Sequence, residues 1–302
     1  MNDVKVIKPQ EGYQMKALSS SADIVIGGGA AGAGKTFSLL LEPLRHINVK
    51  NFGAVCFRRT SPMIRAEGGL WDASKKIYNY IQGAKSREAP LEWIFPAGSK
   101  LKFSHLEYEG NKYDWQGSEI TLIMFDELTH FTKGMFFYLL TRNRSTCGVA
   151  PYVRATCNPD PDSWVADFIS WWIDQDPHSP NYGYPIPERQ GVLRYFCAEN
   201  DNIIWGGSPE EVYLNCKDFI DEQIKLSKGL VQLKDMVKSV TFIGGTIYDN
   251  TELLKVNPAY LGNLNAQEEE ERQKLLHGNW KVSTKGNDIY PYQKFLDIFT
   301  NS

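Results

Sequence analysis

Short, nearly continuous apolar runs punctuate this chain at wide intervals. Ile24-Val25-Ile26, Gly53 to Phe57, Thr121 to Phe125, Pro151 to Thr156, Val192 to Cys197 and Val240 to Gly245 are each too brief for a helix. Most show little of the apolar–polar alternation of a half-exposed strand, which predicts strands covered on both faces, as in a parallel sheet. Between them the spacing turns helical, over Lys35 to Ile47, Ala73 to Ile81, Phe136 to Leu140, Pro209 to Leu233, Thr251 to Leu254 and Ala266 to Leu276. Gln14 to Leu18 predicts one more short helix ahead of the first strand. Trp93-Ile94-Phe95 and Lys100 to Phe103 flank Pro96-Ala97-Gly98-Ser99 as a β-hairpin. Residues 174–191, rich in proline, tyrosine and glycine, read as an irregular connection, and the polar stretch from Val282 reads as a poorly ordered tail. Strands alternating with helices give an α/β protein with a mainly parallel central sheet flanked by helices.

Composition narrows the class. The chain has 302 residues, 42% of them hydrophobic, enough for one large core with an appended subdomain. A net charge of −3 excludes nucleic-acid binding through bulk charge, so any such contact is a local patch. Cys56, Cys147, Cys157, Cys197 and Cys216 are scattered, odd in number and without a C-x-x-C pair, which points to a reducing compartment and away from zinc. The first residues have no apolar signal core and no run approaches a membrane span, so an intracellular chain with no membrane partner is expected.

The chemistry concentrates after the first predicted strand. Gly29-Ala30-Ala31-Gly32-Ala33-Gly34-Lys35-Thr36 fits the P-loop spacing of Gly, four residues, Gly, Lys and a hydroxyl residue. Its glycines let successive backbone N–H groups converge on phosphate oxygens, at the positive end of the following helix. Lys35 is expected on the β- and γ-phosphates and the Thr36 hydroxyl on magnesium. Gly27 to Gly32 also satisfies the dinucleotide pattern G-x-G-x-x-G, but a lysine and a hydroxyl at the helix start are superfluous there. The run ending at Phe125 delivers Asp126-Glu127, the Walker B arrangement of an apolar strand carrying two acids to its carboxyl end. Asp126 is expected to hold magnesium and Glu127 to act as general base toward the attacking water. Thr156 and Asn158 end the next strand, where a polar group can touch the γ-phosphate. Gln14 carries the donor and acceptor that an adenine edge matches.

Taken in order, these residues resemble the ATPase domain of the large terminase subunit, the DNA-packaging motor of tailed bacteriophages. The resemblance runs through Gln14, Gly29 to Thr36, Phe57-Arg58-Arg59-Thr60, Gln116-Gly117, Phe125-Asp126-Glu127, Arg142 to Arg144 and Thr156 to Pro159. It continues through Asp249-Asn250 with Leu253 to the closing Leu275-Leu276-His277-Gly278-Asn279-Trp280. It implies a P-loop NTPase of the additional-strand, catalytic-glutamate type, with residues 1–248 as the ATPase core and 249–302 as a helical lid and tail. By the same resemblance Gln14 recognises adenine, Lys35 and Glu127 are catalytic, Thr36 and Asp126 hold Mg2+, and Thr156 to Asn158 couple nucleotide state to motion. The implied partners are double-stranded DNA, further copies of the chain in a ring, a portal or procapsid and a small terminase subunit, in the host cytoplasm. Many relatives carry an arginine inside the loop where this chain has Ala30 and Ala31. The finger must then come from Arg58, Arg59, Arg142 or Arg144, of which Arg144, acting from a neighbouring subunit, is preferred. No nuclease is expected in residues 1–302. The rival readings are another nucleic-acid motor, such as a helicase or recombination ATPase, a nucleotide switch using Asp114 to Gly117 and Asn215 to Asp218, or a structural ring protein.

Overall fold

The computed structural model describes residues 6–199 and 202–282, so all of the expected tail beyond Val282 lies outside the described residues. Ten strands form among these residues: β1 Ile24–Gly29, β2 Gly53–Arg58, β3 Lys85–Glu88, β4 Leu91–Ile94, β5 Lys100–His105, β6 Leu122–Phe125, β7 Tyr152–Thr156, β8 Arg194–Glu199, β9 Asn202–Gly206 and β10 Lys238–Gly245. They make one sheet in the order β3-β4-β5-β2-β6-β7-β1-β10-β8-β9. From β5 to β10 every neighbouring pair is parallel. Antiparallel pairs extend both ends, β3-β4-β5 on one side and β10-β8-β9 on the other.

The side chains of the central strands alternate between two cores, as the pleat requires. On β6, Ile123 and Phe125 enter one core while Leu122 and Met124 enter the other; on β2, Val55 and Phe57 divide from Ala54 and Cys56 in the same way. The helices that cover these faces are, in chain order, α1 Tyr13–Ser19, α2 Lys35–Leu41, α3 Ser61–Arg65, α4 Leu70–Tyr78, α5 Lys133–Leu140 and α6 Trp164–Phe168. Then α7 Pro209–Asn215, α8 Lys217–Leu226 and α9 Leu233–Met236 pack beside β8 and β9, and α10 Thr251–Val256, α11 Ala259–Asn265 and α12 Glu269–Leu275 follow β10. No described helix is long and apolar enough to cross a membrane.

Two departures from the sequence pattern have local causes. The helix expected from Lys35 to Ile47 stops at Leu41 and tightens into a 3-10 turn, Glu42–Arg45. Pro43 lacks the N–H that would bond back to Leu39, and its ring crowds that turn. The edge strand β3, Lys-Ser-Arg-Glu with all four residues exposed, has no apolar pattern and is held by its pairing with β4.

The arrangement of β1, β7 and β6 sets up everything that follows. β7 lies between the strand that opens into the glycine turn and the strand that ends in Asp126-Glu127. All three run parallel, so their carboxyl ends emerge side by side on one edge of the sheet, where ligands bind in open α/β sheets.

Candidate functional site

β1 ends in the glycine turn because nothing larger fits. Gly29 has φ +109, and a Cβ there would collide with the Gly245 carbonyl at the end of β10. Two loop amides are used inside the protein: Ala30 N donates to Gly245 O at 2.8 Å and Ala31 N to Leu275 O at 2.6 Å. Ala30 and Ala31 therefore tie the loop to β10 and to the residue closing α12. Gly278, at φ +74, packs its α-carbon against the same turn, and a Cβ would sit 3.3 Å from Ala30 N. Trp280, 1% exposed, stands edge-on to Phe242 with ring centroids 5.9 Å apart and lies under Gly28. The closing Leu-Leu-His-Gly-Asn-Trp thus forms the back wall of the loop.

Lys35 starts α2 and is buried. Its Nζ donates to Gly29 O at 3.0 Å, Ala30 O at 2.6 Å and Asn158 Oδ1 at 3.0 Å. Burial holds its pKa below the usual lysine value, partly offset by Glu127, Cys157 and Asp126. Burial also pushes the Cys157 thiol, at the end of β7, well above its ordinary range, so it is a packing residue here.

Asp126 is fully buried. Its Oδ1 accepts from Thr36 Oγ1 at 3.0 Å and Thr156 Oγ1 at 2.8 Å, and its Oδ2 pairs with Arg58 Nη1. Glu127 follows in the left-handed region at φ 64. That backbone is disfavoured for L-residues by about 1–2 kcal/mol. Its carboxylate accepts from Asn158 Nδ2 at 3.1 and 3.2 Å and from Asn158 N at 3.2 Å. Asn158 therefore joins Lys35 to Glu127, a contact available only because β7 separates β1 from β6.

The Thr36 hydroxyl and the Asp126 carboxylate form a hard-oxygen pair that fits magnesium, which takes few protein ligands and leaves its other positions to water and phosphate. Among the described residues no group of three or more His, Cys, Asp and Glu is placed to hold a metal by itself.

Gln14 is fully buried on α1. Its Oε1 accepts from Gln10 N at 2.8 Å and its Nε2 donates to Gly34 O at 3.2 Å. It lines a cavity of about 530 Å3 together with Ile7, Pro9, Gln10, Phe37 and Asn250. Sequence reasoning missed Gln10, whose Nε2 reaches Asn250 Oδ1 at 2.9 Å and whose Oε1 accepts from Thr251 Oγ1 and Glu252 N. Asn250 Nδ2 in turn donates to Gly32 O at 2.7 Å, so the amino-terminal segment, the loop and α10 meet at one asparagine. Nothing in the local pattern distinguishes Gln10 from a surface glutamine.

The four arginines divide. Arg58 joins the cluster at Asp126, while Arg59 points to Met135 Sδ at 3.2 Å. The Arg142 carbonyl accepts from Ile120 N, and Asn143 Nδ2 donates to the carbonyls of Ile120, Thr121 and Tyr152. Arg142 and Arg144 therefore lie at the amino ends of β6 and β7, about 13 Å of strand away from Glu127. Arg142 stacks over Tyr138 and Arg144 Nη2 donates to Gly117 O at 2.9 Å. Neither belongs to this chain's own cluster, so a finger role for Arg144 would have to be exercised on a neighbouring subunit's site, as the sequence reading has it.

Strand order, glycine cradle and acid pair together define a P-loop NTPase fold with an additional strand between its two signature strands. The chain belongs to the large terminase subunit family: the family model described as "Terminase large subunit, T4likevirus-type, N-terminal" matches residues 26–297. The large terminase of a thermophilic bacteriophage superposes with a TM-score of 0.57 at 15% identity, over 95% of this chain and 57% of that one. A structure of the same phage protein in complex with ADP gives 0.52 at 15% identity, over 94% of this chain and 57% of that one. The large terminase ATPase domain of Thermus phage P74-26 gives 0.51 at 9% identity, over 90% of this chain and 94% of that domain. The chain thus spans little more than half the length of the first of these terminases. No curated protein matches it.

Proposed function

We propose that this chain is the ATP-hydrolysing motor domain of a large terminase subunit, which drives double-stranded DNA into a procapsid. Family membership supports the motor class, and the bridge Lys35–Asn158–Glu127 is the observation that carries hydrolysis. A protein that only binds nucleotide has no need of a carboxylate held in a strained turn beside the phosphate lysine.

In this reading the amides of the loop and Lys35 hold the polyphosphate, and Gln14 and Gln10 shape the cavity for adenine. Thr36 and Asp126 hold magnesium, which would supply charge neutralisation on the phosphates. Glu127 orients a water and takes its proton. Lys35 has three N–H donors, all of them used. A phosphate that takes Lys35 must therefore loosen one of those bonds. The two to Gly29 and Ala30 close the loop, so Asn158 is the partner that yields, and the hold on Glu127 changes with it. Thr156 and Asn158 thereby couple phosphate occupancy to the general base, and residues 249–282, tied to Gly32 and Ala31, act as the lid. Copies of the chain in a ring, a portal and a small subunit are the partners this role requires, and the host cytoplasm is where it acts.

The test is Glu127→Gln. A positioned general base contributes about 10²–10⁴-fold, so turnover of ATP should fall by that factor while labelled ATP still binds. Lys35→Ala should lose binding as well. Near-normal turnover in the glutamine variant would sink the assignment.

A further inference from the structure

We propose that Arg58 is the arginine that neutralises the transferred phosphoryl group, supplied by this chain to its own site. The proposal rests on the hydrolytic reading above. It begins with strand register. Phe57 of β2 pairs with Phe125 of β6, so Arg58 and Asp126 leave the sheet side by side at the carboxyl edge. The guanidinium then binds Asp126 Oδ2, on the far side of the carboxylate from the Thr36 and Thr156 hydroxyls at Oδ1. No other arginine among the four sequence candidates reaches this cluster.

Arg58 also has room for a second acceptor. Its Nε is buried and has no acceptor. The Nε atoms of Arg154 and Arg194 are buried without an acceptor too, so what counts at Arg58 is its place beside Asp126, where an anion with several oxygens would satisfy a guanidinium fork that one carboxylate oxygen does not. Its side chain also keeps 21% exposure while Asp126 has none, so the arginine borders open space at the mouth of the site. Charge accounting points the same way. Without ligand, Asp126 and Glu127 are balanced by Lys35 and Arg58. Nucleotide with its cation would add net negative charge, and a cation held by Thr36 and Asp126 would compete with Arg58 for the carboxylate. The guanidinium would then be available as a positive group for the phosphates.

The step is a hydrolysis. The oxygen of water forms a bond to the γ-phosphorus as the bond to the β–γ bridging oxygen breaks. The electron pair leaves with ADP, and the water proton passes to Glu127. Charge spreads onto the equatorial phosphoryl oxygens in between, and a fork of N–H donors answers it.

The experiment compares Arg58→Lys and Arg58→Gln with the unaltered chain. It measures ADP affinity, thermal midpoint, kcat and KM for ATP, and trapping of ADP with fluoroaluminate, a mimic of the transferred group. Arg58→Gln should lower kcat about 10³–10⁵-fold and abolish trapping, with ADP affinity within about threefold of the original. Arg58→Lys keeps the charge against Asp126 but loses the fork, so its midpoint should recover while trapping does not. Arg58→Lys with trapping and kcat within a few-fold of the original overturns the proposal and leaves Arg58 a counter-ion for Asp126. An unaltered chain that neither turns over ATP nor traps ADP overturns the hydrolytic reading itself, and Arg58's role with it.

Discussion

Trp280→Ala tests whether the closing motif supports the cradle or merely ends the domain. The indole is 1% exposed, lies across Phe242 and backs Gly28, so truncation leaves a cavity directly behind the loop. Burying and then deleting such a side chain destabilises by about 3–5 kcal/mol. With an unfolding entropy of about 2.1 cal/mol/K per residue over 302 residues, each kcal/mol moves the midpoint about 1.6 °C, so a fall of about 5–8 °C is expected. A second effect should accompany it. Gly278 packs on Gly29 and Ala30, and Leu275 O accepts from Ala31 N at 2.6 Å, so loosening residues 275–280 loosens the loop. Weakening one such hydrogen bond, at about 0.5–1.5 kcal/mol, should lower ADP affinity about 2- to 10-fold. Differential scanning calorimetry with and without ADP reads the first effect, and titration of fluorescent ADP reads the second. Trp280→Phe, which keeps a ring against Phe242, should recover most of both. A midpoint within about 1 °C of the original refutes the packing argument. A large fall in midpoint with unchanged ADP affinity refutes the link to the loop.

Two further outcomes follow from the site. Burial lowers the Lys35 pKa in the free chain and a bound polyphosphate raises it, so ADP affinity should fall as pH rises through the lowered free-state pKa toward the bound one, with proton uptake in that window. Calorimetry at alkaline pH in buffers of different ionisation heat measures that uptake, and its absence would mean that Lys35 is not the phosphate lysine. Gln14→Ala should erode the preference for ATP over GTP by roughly 1–3 kcal/mol, measured as the ratio of the two affinities. An equal loss for both nucleotides would reduce Gln14 to a brace between Gln10 and Gly34.

Much of the site was legible because local pattern and chemistry coincide there. An apolar run, a glycine turn and a lysine at a helix start specify β1, the loop and α2 from neighbouring residues alone. The run into Asp126-Glu127 does the same for β6. Strand order is a different kind of fact. No residue in Tyr152–Thr156 states that β7 will insert between β1 and β6, yet that insertion is what lets Asn158 touch Lys35 and Glu127 together. The same limit hid the shared role of Gln10 and Asn250, whose contact joins positions 240 residues apart.

The arginines show what sequence proximity amounts to when a helix folds back. Arg142 and Arg144 follow Glu127 closely in sequence, and the role expected of Arg144 is on a neighbouring subunit's site. But α5, eight residues long, starts near the carboxyl end of β6 and returns toward the amino end. Its rise of about 1.5 Å per residue gives about 12 Å, nearly the length of the strand it retraces. The arginines beyond it are therefore delivered to the opposite edge of the sheet, where Asn143 ties them to the start of β6 and β7. Arg58 stands 68 residues before Asp126 and touches it, because β2 and β6 are parallel neighbours in register. In a parallel sheet the carboxyl ends of adjacent strands are the places that meet, whatever the length of chain between them. A search within one chain for an arginine beside the acid pair therefore starts at the ends of the neighbouring strands, and the segment that follows the glutamate matters for what the chain could offer a neighbour.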